Sequence, residues 1–146
     1  MDEQRPSNGP DTPAPAWPAP ARVMVCVGYN PISQRLIWRA GQLARAFNAE
    51  LIAVHVQPSR SKAPGYQTML EQNMALARQI GAQVLIERGE SLAETLARVA
   101  HAQGVTHIVM GESARSRWAE IRSGSLVRQI LRASRGIDIY IVADPA

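Results

Sequence analysis

Residues 105–131 read VTHIVMGESARSRWAEIRSGSLVRQIL. They hold a strand, a polar loop and a helix in that order. Val105–Met110 is a short apolar run that ends at Gly111, as a buried parallel strand would. From about Gly124 to Ser134, Leu126, Val127, Ile130 and Leu131 repeat with helical period, and Gly136 stops the helix. Ile137–Val142 is then a further apolar strand. A strand, a crossover helix and a second strand form one βαβ unit, and the rest of the chain repeats it.

Upstream, Val23–Val27 is a strand, with Asn30 placed to cap a helix and Pro31 at its first position. Ile32, Leu36, Ile37, Ala40, Leu43, Ala44 and Phe47 give that helix a buried face. Leu51–Val56 is the second strand, residues 58–65 are a loop, and a helix runs from about Tyr66 to Ile80, stopped by Gly81. Val84–Ile86 is the third strand. Ser91 and Glu94 form a capping box for a helix with Leu92, Leu96, Val99 and Ala100 on its buried side. The whole is βαβαβαβαβ, an α/β fold with a five-stranded parallel sheet and helices on both faces. Several doubly wound folds share this string, so alternation alone leaves the strand order open.

The sequence of 146 residues suits one domain, taken here as 22–146. Residues 1–21, MDEQRPSNGPDTPAPAWPAPA, are proline- and alanine-rich without hydrophobic period, as in a disordered or polyproline-like tail. Trp17 stands alone there and reads as an incidental aromatic. No apolar run approaches a membrane span and the start carries no signal-peptide pattern, so the expected location is the cytoplasm, without membrane contact. The single cysteine, Cys26, reads as a small hydrophobe of the first strand. Net charge is +4, and six arginines fall between Arg115 and Arg135. One basic loop with Trp118 as its aromatic is a poor platform for nucleic acid.

Open parallel sheets bind ligands at the carboxyl ends of their strands. The first such loop, Gly28, Tyr29 and Asn30, is neither a dinucleotide fingerprint nor a P-loop. His55, His101 and His107 have no metal spacing, so no metal is expected. No nucleophile elbow or acid–base pair stands out, so the chain reads as non-catalytic. In the fourth loop, Gly111 allows a tight turn, Gly124 and Ser125 open a helix with free N–H groups, and Arg115, Arg117 and Arg122 add charge. That combination suits phosphate. An ordinary helix cap on an arginine-rich surface explains the same residue types equally well.

At these residues the sequence resembles the universal stress proteins. Members that bind ATP carry Gly-x2-Gly-x9-Gly-Ser/Thr after the fourth strand. Gly111 matches the first glycine and Gly124 with Ser125 the final pair, while Ala114 stands at the second glycine. Residues 22–28, RVMVCVG, and 113–118, SARSRW, further resemble the universal-stress domain of KdpD-type potassium-sensing histidine kinases. The resemblance implies strand order 3-2-1-4-5, as in adenine nucleotide alpha hydrolase-like folds, and homodimerisation through the last strand. It also implies a regulatory role that binds ATP, another adenine nucleotide or a signalling ligand, in potassium or osmotic stress signalling. The nucleotide site would comprise Gly28, Tyr29, Asn30, Gly111, Ser113, Ala114, Arg115, Gly124 and Ser125. Gly28 replaces the acid that ATP-binding members usually place there. Of the strand-two pattern with which some KdpD domains hold cyclic di-AMP, only Ala53 agrees. The alternative function is a module that docks on a sensor kinase without nucleotide.

Overall fold

The computed structural model describes residues 20–57, 65–112 and 126–145. The expectations for residues 1–19, for most of the second loop and for Ser113 to Ser125 therefore lie outside the described residues. The elements run β1 (Arg22–Cys26), α1 (Ile32–Phe47), β2 (Glu50–Gln57), α2 (Tyr66–Gln79), β3 (Gln83–Arg88), α3 (Leu92–Ala102), β4 (His107–Gly111), α4 (Leu126–Ala133) and β5 (Asp138–Val142). The strands form one sheet in the order β3-β2-β1-β4-β5, and every pairing is parallel.

Side chains alternate across each strand, so each face has its own core. Val23 and Val25 of β1, and Val27 just beyond it, join Leu51, Ala53 and Val109 beneath α1 and α2. Met24, Ile52, Val54, Ile108 and Met110 point the other way, under Ala93, Leu96, Val99 and Ala100 of α3 and Ile130 of α4. The three central strands thus read as continuous apolar runs because both faces are covered. Cys26 belongs to the second face, and desolvation pushes its thiol up to about 12, so it stays protonated at neutral pH.

Several local expectations shift. Asn30 does not cap α1 with its side chain; Pro31 is the first boundary residue, and the Asn30 carbonyl accepts the Ser33 amide at 3.1 Å. The Ser91 cap holds, its Oγ accepting from the Glu94 amide at 3.2 Å. Phe47 is not core: it is 36% exposed, one turn past the buried Ala44. Leu131 is 52% exposed although its neighbour Ile130 is fully buried. α4 serves an edge of the sheet, so its buried stripe is narrower than its apolar one. β3 and β5 are likewise edges, more exposed than a doubly covered strand.

Ile108→Ala empties a fully enclosed site under α3 and is expected to lower stability by about 2–5 kcal/mol. Leu131→Ala, on the half-exposed side of α4, is expected to have a much smaller effect. Urea denaturation of the two variants measures the difference; equal losses would contradict the packing described.

Candidate functional site

β1 and β4 are neighbours, yet the loop after β1 leads to a helix on one face and the chain after β4 leads to α4 on the other. The two connections part there and leave a crevice at the carboxyl ends of the strands. Val25 pairs with Val109, which brings Gly28 and Gly111, a few residues beyond, to opposite lips of this crevice.

The first lip is held from below. The Gly28 amide donates to Ser33 Oγ at 2.8 Å. Asn73, on the buried face of α2, donates from Nδ2 to the carbonyls of Gly28 at 2.9 Å and Asn30 at 3.1 Å. His55 Nδ1 lies 2.7 Å from the Val27 carbonyl, and Nε2 meets the Tyr66 hydroxyl. A carbonyl can only accept, so Nδ1 carries the proton and Nε2 accepts from the phenol. Burial, reinforced by the nearby Tyr29 hydroxyl, raises the Tyr66 pKa and keeps it a donor. The Tyr29 ring packs on Tyr66 with centroids 4.7 Å apart. Side chains from β2 and α2 thereby hold Gly28 and Asn30 through their backbone and Tyr29 through its ring.

Gly28 has an ordinary backbone: a Cβ there would meet only Ser33 Oγ at 3.4 Å and the side-chain Nδ2 of Asn30 at 3.8 Å. Gly111 is tighter, since a Cβ would lie 3.2 Å from both Leu36 methyls. The second lip continues into Glu112, whose Oε1 accepts the Asp144 amide at 3.2 Å. Arg35 Nε donates to the Ala143 carbonyl at 3.2 Å, so both lips also secure the segment after β5.

Of the residues expected at the site, Gly28, Tyr29, Asn30 and Gly111 are brought together. Ser113, Ala114, Arg115, Gly124 and Ser125 fall outside the described residues. Sequence reasoning missed His55, Tyr66, Asn73 and Glu112. The available signal was a polar residue, Asn73, at a buried position of a helical pattern, and a histidine near the carboxyl end of an apolar strand. Among the described residues no group of three metal-ligating side chains occurs.

The profile described as Universal stress protein family matches residues 21–136. The chain belongs to the universal stress protein family. Among curated relatives, the sensor protein KdpD of Mycobacterium tuberculosis is 33% identical over 130 residues, covering 89% of this chain and 15% of that protein. A KdpD-named sensor protein of Synechocystis is 27% identical over 124 residues, covering 84% of this chain and 34% of the relative. The chain thus spans about a third of the length of one of these relatives and less than a sixth of the other. Among solved structures, a universal stress protein in complex with cAMP superposes with TM-score 0.66 at 23% identity, covering 87% of this chain and all of the other. The universal stress protein of Archaeoglobus fulgidus in complex with dAMP gives 0.58 at 21% identity, over 83% of this chain and 96% of that one. These likenesses establish the universal stress fold.

Tyr66→Phe leaves the buried Nε2 of His55 without its donor while keeping the ring contact with Tyr29. A loss of about 1–3 kcal/mol is expected, with faster hydrogen exchange at the amides of Gly28, Tyr29 and Asn30. Unchanged exchange at those amides would show that the phenol does not hold the loop.

Proposed function

We propose that this chain is a non-catalytic regulatory domain that binds an adenine nucleotide, or a signalling ligand of that class, in the crevice between β1 and β4. One observation carries this reading: the braced first lip, Gly28 to Asn30, faces the glycine that ends β4 across the point where the chain reverses direction. The polypeptide after Gly111 then carries Ser113, Ala114 and Arg115, and Gly124 and Ser125 precede α4. Phosphate would meet the N–H groups there, the Ser125 hydroxyl and the guanidinium of Arg115, a favourable setting for an anion. The cAMP and dAMP named with the two fold neighbours support a nucleotide of this class. The KdpD relatives support a role in potassium or osmotic stress signalling, with a sensor kinase as partner.

The described strand ends favour binding over turnover. Both ring nitrogens of His55 are engaged, and the Glu112 carboxylate takes a backbone amide. No helix among the described residues is long and apolar enough to cross a membrane.

A second reading concerns self-association. β5 is an edge strand in which Tyr140 is 36% and Ile141 43% exposed, and such an edge can pair with a second copy. The same edge would serve a module that docks on a kinase without nucleotide.

Titration calorimetry with ATP, AMP and cyclic di-AMP tests the ligand. Binding by at least one of them is expected. Gly124→Val combined with Arg115→Ala should weaken it by about tenfold or more, the worth of one lost charge-assisted hydrogen bond. Undiminished binding by that variant would place the ligand elsewhere, and no binding by any of the three would favour the docking module.

A further inference from the structure

Trp38, in the middle of α1, is 56% exposed, more than any other large apolar side chain among the described residues. The buried stripe of the helix, Leu36, Ile37, Ala40 and Ala44, lies roughly opposite. The neighbours of Trp38 three and four positions away are Gln34, Arg35, Gly41 and Gln42. None of these carries an apolar side chain for the indole to cover. The fold itself therefore gives no reason for a tryptophan at this position.

The surface around the indole is cationic. α1 holds Arg35, Arg39 and Arg45 and no acid. Arg39 and Arg45 are exposed, and neither forms an ion pair among the described residues. Arg35, nearer the crevice, is tied through Nε to the Ala143 carbonyl. On the side toward α2, the helices close on one another at Gly41, where a Cβ would lie 3.0 Å from Ile80 Cδ1. The carboxyl end of α2 thus brought alongside carries the exposed Arg78. Glu71, the one acid of α2, lies two turns earlier and accepts from Gln67 Nε2.

The spacing along α1 suits a second helix. Trp38, Gln42 and Arg45 are i, i+4 and i+7, one line about 10 Å long, and Arg39 stands beside it. Steps of four and three are those by which side chains of one helix engage another. Tryptophan and arginine are also the residue types that most often carry the binding energy of protein interfaces. A second copy of this face does not fit, because arginines would meet arginines with no acid on α1 to pair with them. A bilayer does not fit either: the apolar stripe of α1 is spent on the core, and a single indole is left to enter lipid. Nucleic acid is held by many phosphate contacts at once, and a chain of net charge +4 offers few.

We propose that the Trp38 face of α1 docks an acidic amphipathic helix of a partner protein, with its apolar seam on the indole and its carboxylates on Arg39 and Arg45. The docking requires neither nucleotide in the β1–β4 crevice nor pairing through β5, and its test reads other residues.

The probe is a designed three-heptad helical peptide with leucine at two positions of each heptad and glutamate beside them. Added to the ¹⁵N-labelled full chain, it is expected to shift the Trp38 indole N–H and the amides of Arg39, Gln42 and Arg45 saturably. Trp38→Ala should weaken binding about tenfold or more, and so should Arg39→Glu combined with Arg45→Glu. These positions are exposed, so the amide spectrum of the sheet should stay as in the parent chain. The same peptide with lysine for every glutamate should leave α1 unshifted. Absence of saturable shifts on α1 with the glutamate peptide would overturn the proposal, as would equal shifts with the lysine peptide. Tighter binding at the same amides by a short oligothymidylate or by phosphatidylglycerol vesicles would overturn it too, giving the face to nucleic acid or to a membrane.

Discussion

A βαβ connection between parallel strands is right-handed, so a chain that adds strands in one direction lays its helices on one face of the sheet. It can place helices on the other face only by turning back. Here β1, β2 and β3 advance with α1 and α2 on one face, and β4 and β5 are laid on the far side of β1 with α3 and α4 on the other. The reversal parts the connections beyond β1 and β4. Everything proposed for the crevice depends on that constraint, because it alone leaves two adjacent strand ends uncovered by their own helices.

Uncovered ends would be of little use to a ligand if they moved freely. The structure meets this by drawing buried polar groups toward the first loop. Asn73 is fully enclosed and donates to two loop carbonyls, and His55 donates a hydrogen bond from Nδ1–H to a third, that of Val27. A buried donor is tolerated when it is bonded, and the bonds from Asn73 Nδ2 and His55 Nδ1 end on backbone at or beside the first loop. The same side chains are therefore both core and scaffold for the site. Gly111 answers from the other lip, where the Leu36 methyls limit what residue can end β4.

Much of this was legible in the sequence. The alternation of apolar runs with helical periods gives the fold class, and the order 3-2-1-4-5 followed from the resemblance carried by Gly111, Gly124 and Ser125. Gly28, Tyr29, Asn30 and Gly111 do converge. What escaped is what periodicity does not encode. Phe47 and Leu131 lie on apolar stripes, yet both face the margins of a five-stranded sheet, where a helix overhangs its strands. The bracing by His55, Tyr66 and Asn73 joins residues far apart in sequence, and no local pattern pairs a histidine on a strand with a tyrosine that opens a helix.

The central claim is that ligand binds where β1 and β4 diverge. Amide chemical-shift mapping of the full chain during titration with AMP or ATP tests it most directly. The account predicts the largest shifts at Gly28, Tyr29, Asn30, Gly111 and Glu112, with smaller ones at His55 and Asn73, which hold the first lip. Saturable shifts centred on the ends of β2 and β3, at Gln57 and Arg88 to Glu90, with the β1 and β4 ends unmoved, would contradict it.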